Sequence, residues 1–290
     1  MSARGRLLSG LVTAVVALAG FVGLGALPAA ASPPTIQYVA LGDSYAAGQG
    51  GGSYLNGCLQ TAASYPELLN VESRIQLQAN PTCSGAKTSD VAAQLTELTE
   101  NTRLVTLTVG AADLGLSRVL TTCTTGTQEA CLVEIARARG ELEKLGSNLT
   151  FLYAEVADAA PKARIVVTGY PQLLEPTAPF DPVLIAAVNA ATGALNSTIE
   201  QAVSFTNATD VNIHYVDVTE EFAGHGIVTL ITDPEDPNAF IHSLFTCDPP
   251  RPDCPDFDAF HPTVAGYRAY ADAISAALPG GWLDKQKQSV

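Results

Sequence analysis

Two short motifs at opposite ends of the chain carry the residue types of nucleophilic catalysis. Gly42-Asp43-Ser44-Tyr45 directly follows the apolar run Tyr38-Val39-Ala40-Leu41, and Asp258-Ala259-Phe260-His261-Pro262 lies near the C-terminus. A serine hydroxyl is a weak nucleophile until an imidazole takes its proton. The imidazole needs a partner on its other nitrogen to fix its tautomer and orientation. Asp258, just upstream of His261, is spaced to be that partner. Ser44, His261 and Asp258 are therefore the material for attack on a carbonyl carbon. Each has a plainer reading on its own: Ser44 as a turn residue or helix N-cap, His261 as the residue before a helix that starts at Pro262, and Asp258 as a loop carboxylate. It is their occurrence together, in this order, that favours catalysis.

Such residues must be held by a frame. Near-continuous apolar, β-branched runs at 37–41, 75–78, 104–109, 164–168 and 211–216 read as buried parallel strands. Between them, helical spacing runs over 88–99, 130–159 and 182–205, and a last helix follows Pro262 through Tyr267 and Ala271 to Leu278. Strand–helix alternation predicts a mainly five-stranded parallel sheet with helices on both faces. Ligands gather at the carboxyl ends of such strands. Ser44 follows the first predicted strand, Gly85 in Cys83-Ser84-Gly85-Ala86 follows the second, and Gly110 to Asp113 follow the third. With the loop carrying Asp258 and His261, these pieces can meet at one sheet edge. Gly50-Gly51-Gly52 reads as a flexible stretch, and residues 223–258, rich in Pro and Asp, as a long loop.

Composition narrows the partners. The 290 residues carry 29 Asp and Glu against 15 Lys and Arg, a net charge of −14. An acidic surface repels phosphate backbones and anionic membranes, so nucleic-acid binding is not expected. Arg4 and Arg6 precede an apolar stretch over 7–27 that ends in Pro28-Ala29-Ala30-Ala31, the pattern of an export signal cleaved after Ala31. A retained anchor is the competing reading. The mature chain, 32–290, is expected to be a single domain, a freely secreted monomer without stable membrane insertion. Its cysteines, Cys58, Cys83, Cys123, Cys131, Cys247 and Cys254, are even in number and all lie beyond the signal, which reads as three disulfides. Pairing by sequence neighbours, Cys58–Cys83, Cys123–Cys131 and Cys247–Cys254, is favoured. No Cys-x-x-Cys pair suggests zinc. His214, in an apolar strand, reads as a core histidine, and His225 and His242 as loop residues more than a metal site. No metal or cofactor is expected. Asn148, Asn196 and Asn207 head glycosylation patterns on which no glycan is expected.

These motifs together resemble the SGNH, or GDSL, hydrolases, especially secreted three-disulfide lipases and esterases of actinomycetes. The likeness spans nearly all the mature chain: Gly-Asp-Ser-Tyr, Cys-Ser-Gly-Ala, the Gly110–Asp113 block, and Asp-x-x-His-Pro. It implies a flavodoxin-like three-layer sandwich. It makes Ser44 the nucleophile, His261 the general base and Asp258 its orienting acid, with the N–H groups of Ser44 and Gly85 as oxyanion donors. In some relatives a backbone carbonyl takes the place of the acid. The third block departs from the family: Ala112 stands where an oxyanion-donating Asn is usual, and Asp113 is expected to brace the loop. Alanine offers no side-chain donor, and losing one such donor costs roughly 10²–10³ in kcat. The implied activity is carboxylic-ester hydrolysis on lipid or fatty-acyl esters. A hydrolase-derived binding protein and a phospholipase acting at phosphate are the alternatives.

Overall fold

The computed structural model describes residues 35–71, 74–231, 233, 236–245, 256–280 and 282. The predicted signal and the Cys247–Cys254 pair lie outside the described residues. In chain order the elements are β1 (Ile36–Gly42), α1 (Ser44–Ala47), α2 (Tyr65–Asn70), β2 (Ile75–Ala79), α3 (Thr88–Gln94), β3 (Leu104–Thr108), α4 (Leu116–Thr125), α5 (Gln128–Gly140), α6 (Leu142–Ala159), β4 (Arg164–Thr168), α7 (Pro182–Asn207), β5 (Ile213–Val216) and α8 (Val264–Ala277).

The five strands form one parallel sheet in the order β2-β1-β3-β4-β5. Every residue of β3 is buried, and β1 is buried except at Gln37, because both are covered on two faces. The edge strands β2 and β5 are only partly buried. The connections between the parallel strands divide the helices into two layers. α2 and α8 pack together in one, while α3, α5, α6 and α7 form the other. This is the expected sandwich, and its strand order puts the reversal of winding between β1 and β3.

Several local expectations need correcting. The helix expected over 130–159 is two, α5 and α6, broken at Glu141, whose N–H turns back to the carbonyl of Ala138 at 3.1 Å. Gly140, a poor helix former, immediately precedes the break. His214 is not in the core, because β5 is an edge strand; its Nε2 lies 2.8 Å from Asn212 Oδ1. No segment after the signal reads as transmembrane, yet the helix α7, at 26 residues, is long and apolar enough to cross a bilayer by length and composition. In the fold it buries Ile185, Val188, Leu195, Ile199 and Val203 and packs against α5, α6 and β5. Asn196, on the same helix, is buried with both ends of its amide bonded to the Tyr170 backbone, at 2.9 and 2.7 Å.

Candidate active site

Ser44 is placed by the end of β1. Gly42 has φ +135°, and a Cβ there would lie 2.2 Å from the Thr108 carbonyl oxygen, so the turn requires glycine. Asp43 caps the short α1: its carboxylate accepts from the Tyr45 N–H at 3.0 Å and from the Tyr170 hydroxyl at 2.6 Å. Burial pushes the Asp43 carboxyl up to about 7, against the opposing pull of those hydrogen bonds. Ser44 is the first residue of α1, so its N–H has no intrahelical acceptor. No acceptor for it occurs among the described hydrogen bonds.

The loop after β2 brings Gly85 to the same edge. The Ala86 N–H closes a turn onto the Cys83 carbonyl at 3.1 Å, and Gly85 sits in it at φ +79°. The Cys58–Cys83 disulfide anchors this turn, and the Ser84 N–H donates to the Cys58 carbonyl at 3.0 Å. The N–H of Gly85, like that of Ser44, has no acceptor among the described residues. The loop after β3 is braced at two points. The Ala111 N–H donates to the Tyr170 hydroxyl at 3.2 Å, and Asp113 accepts from the N–H and hydroxyl of Thr88 at 3.0 and 2.7 Å. Ala112 lines the cleft between these braces and brings no side-chain donor to it.

His261 completes the pair. Its Nε2 lies 3.0 Å from Ser44 Oγ, and its Nδ1 lies 3.1 Å from the Ala259 carbonyl oxygen. A carbonyl can only accept, so the Nδ1 proton is fixed and Nε2 is left free to take the serine proton. Burial pushes the imidazole down to about 4, although the Ala259 and Asp258 carbonyls pull the other way. The ring is therefore neutral at ordinary pH. Here the expectation for Asp258 fails. Its carboxylate accepts a hydrogen bond from the Tyr54 hydroxyl, while its main-chain carbonyl accepts the His261 N–H at 2.9 Å. That turn aims the Ala259 carbonyl, and not the Asp258 side chain, at the ring.

Ser44, Gly85, Ala112 and His261 open on one cleft of about 770 Å³. Its apolar wall comes from Leu116 and Leu120 of α4 and from Leu244, Phe245, Phe257 and Phe260. The Cys123–Cys131 disulfide ties α4 to α5 behind that wall. The base loop is bound to the nucleophile turn by the Tyr45 hydroxyl, which donates to the Phe260 carbonyl at 2.5 Å. Of Gly50-Gly51-Gly52, expected to be flexible, Gly50 is bonded through both its N–H and its carbonyl. The Gly50 N–H donates to the Tyr54 hydroxyl at 3.1 Å, and its carbonyl lies 2.8 Å from His242 Nε2. His242 is buried, with Asp256 3.6 Å from its Nδ1, and His225 stacks on Phe240. Sequence reading missed Tyr54, Tyr170, Gln49 and His242 as parts of the site. Tyr170 was the most accessible of these, since it lies just past the carboxyl end of β4.

The five-stranded parallel sheet with flanking helices matches that of solved SGNH hydrolases. The chain belongs to the GDSL-like Lipase/Acylhydrolase family, whose model matches residues 40–269. A lipase of Streptomyces rimosus is 34% identical over 265 residues, 86% of this chain and 90% of the relative. Lipase 1 of Streptomyces coelicolor is 30% identical over 269 residues, 89% of this chain and 93% of the relative. Among solved structures, phospholipase A1 from Streptomyces albidoflavus superposes with a TM-score of 0.74 at 30% identity, covering 84% of this chain and all of that one. The extracellular lipase from Streptomyces rimosus gives 0.70 at 29% identity, with 84% of this chain and 100% of that chain covered. The protein is a carboxylic-ester hydrolase.

Proposed function

We propose that the mature chain, from about residue 32 to 290, is a secreted, monomeric single-domain hydrolase of fatty-acyl esters that works through an acyl-enzyme on Ser44. The observation that carries this reading is the 3.0 Å contact between Ser44 Oγ and His261 Nε2 at an apolar cleft. Ser44 Oγ attacks the ester carbonyl while His261 Nε2 takes its proton. The oxyanion of the tetrahedral intermediate is met by the Ser44 and Gly85 N–H groups. His261 then protonates the leaving alcohol. Water, giving a proton to the same nitrogen, hydrolyses the acyl-enzyme. The Ala259 carbonyl holds the imidazole through the cycle. Ala112 leaves the oxyanion site with backbone donors only, so turnover on simple esters is slow for the family. No membrane insertion is required, because the acyl chain enters the cleft of the folded chain.

Secretion is supported by the two disulfides Cys58–Cys83 and Cys123–Cys131, which suit an oxidising compartment, and by the extracellular lipase among its structural relatives. The likeness to a phospholipase A1 favours diacyl phospholipids as a second substrate class, cleaved at the carboxylic ester. Intact mass after treatment with a fluorophosphonate tests the core of this reading. One adduct on the native protein, absent from Ser44→Ala, is expected. No adduct on a folded, oxidised protein would instead favour a binding function. Release of fatty acid from phosphatidylcholine is expected, and release of headgroup alone would point to attack at phosphate.

A further inference from the structure

Gln49 sits where three loops meet. Its N–H donates to the Ser44 carbonyl at 3.1 Å, and its own carbonyl accepts from the Tyr267 hydroxyl of α8 at 2.6 Å. Its carboxamide reaches in two further directions. Oε1 accepts from Ser84 Oγ at 2.7 Å, beside Gly85, and Nε2 donates to the Phe257 carbonyl at 3.2 Å, in the loop that leads to His261. The residue is 6% exposed and lines the cleft. One side chain thus joins the turn bearing the Gly85 N–H to the loop bearing His261, and its backbone is fixed to the residue that bears the nucleophile.

A buried carboxamide matched to one donor and one acceptor sets the spacing of the groups it bonds. Displacing either loop leaves a desolvated polar group unpaired. Ala112 raises the importance of that spacing. Without a side-chain donor from the β3 loop, the Gly85 N–H bears a larger share of the developing oxyanion charge, and such donors act only within a narrow range of position.

We infer that Gln49 is a positioning residue for the Gly85 N–H and the His261 loop, and that Ala112 makes this chain depend on it. The inference rests on the acyl-transfer reading of Ser44 and His261.

The test compares Gln49→Ala, Gln49→Glu and Ser84→Ala in the native and Ala112→Asn backgrounds. The readouts are kcat and KM on a soluble butyrate ester, affinity for an alkyl boronic acid that mimics the tetrahedral intermediate, and Tm. Gln49→Ala should lower kcat about 30-fold with KM within about 3-fold, and weaken the boronic acid in parallel. In the Ala112→Asn background the loss should shrink to about 5-fold, because a third donor relieves the demand on Gly85. Gln49→Glu keeps the acceptor for Ser84 but turns a carboxylate oxygen against the Phe257 carbonyl and places a charge beside the oxyanion site, so its loss should be at least as large. Equal losses in both backgrounds, or a lower Tm with undiminished kcat in the folded fraction, would overturn the inference. If Gln49→Ala fails to fold, Ser84→Ala, which removes only the Ser84 contact, makes the same comparison. A native protein that forms no fluorophosphonate adduct would overturn the acyl-transfer reading and this inference with it. Adduct formation with equal losses would overturn this inference alone.

Discussion

The hydroxyl of Tyr54 donates to the carboxylate of Asp258, and the same hydroxyl accepts the N–H of Gly50. The pair straps the loop after the nucleophile to the loop before the base, and it occupies the carboxylate that a triad would turn toward the imidazole. Asp258→Asn, whose amide oxygen can still accept from Tyr54, should therefore only weaken a strap. A drop in kcat of less than about 10-fold is expected, against the roughly 10⁴-fold drop seen when a true orienting carboxylate is neutralised. Steady-state kinetics on a soluble ester decide between the two, and a loss near the larger figure would return Asp258 to the triad.

Ala112 gives a prediction in the opposite direction. Adding a side-chain amide beside the Gly85 and Ser44 N–H groups should raise kcat, by about 10- to 100-fold if most of a donor's usual contribution is recovered. Ala112→Asn, assayed on ethyl butyrate with KM reported separately, checks it. An unchanged kcat in a variant with native Tm would show that the space is already served by another donor.

The imidazole sets the acid limit of activity. Burial pushes His261 down to about 4 from its ordinary 6.5, so the base stays unprotonated well below neutrality. The acid limb of kcat/KM should fall near pH 4, with activity lost as pH drops through it. The same shift has a stability sign. Between pH 4 and 6.5 the unfolded chain binds a proton at this residue and the folded chain does not, so this group's contribution to stability rises with pH across that window. A pH–rate profile with circular dichroism at each point checks the limb. A limb at 6.5 in folded protein would mean a solvated ring.

Acyl length should be set by the wall that α4 contributes. Leu116, half-buried at the start of that helix, lines the cleft. Each methylene denied its apolar contact costs about 0.8 kcal/mol. Leu116→Trp should thus lower kcat/KM for dodecanoate esters by about 10-fold or more, if two methylenes are displaced, and leave butyrate within about 3-fold. Equal losses for both chain lengths would show that the long chain runs elsewhere.

Much of this site could be read in the sequence, because the chemistry sits where strands end. β1 and β3 are covered on both faces, so they read as unbroken apolar runs, and the residues just past them were found. The helix α4 was not. Its Thr-rich sequence has weak helix propensity, but in place the hydroxyls of Thr121, Thr124 and Thr125 bond carbonyls one turn back. The fate of Asp258 was equally hidden. Its motif fixes the spacing to His261 but holds no sign of Tyr54, which competes for the carboxylate from the other end of the chain. Gln49 gave no signal, since a glutamine among glycines looks like any loop residue until the loops it joins are brought together.

The Cys58–Cys83 bridge ends one residue short of Ser84, so a reductant reaches the oxyanion turn through it. Opened, the turn keeps its backbone closure but loses the covalent tether to the segment after the nucleophile. Protein made in a reducing cytosol can then hold a complete sheet and a paired Ser44 and His261, with the Gly85 turn held by Gln49 and its own backbone bonds alone. Specific activity becomes a property of the preparation's thiol history. Titrating free thiols beside each activity assay separates a slow enzyme from an incompletely oxidised one.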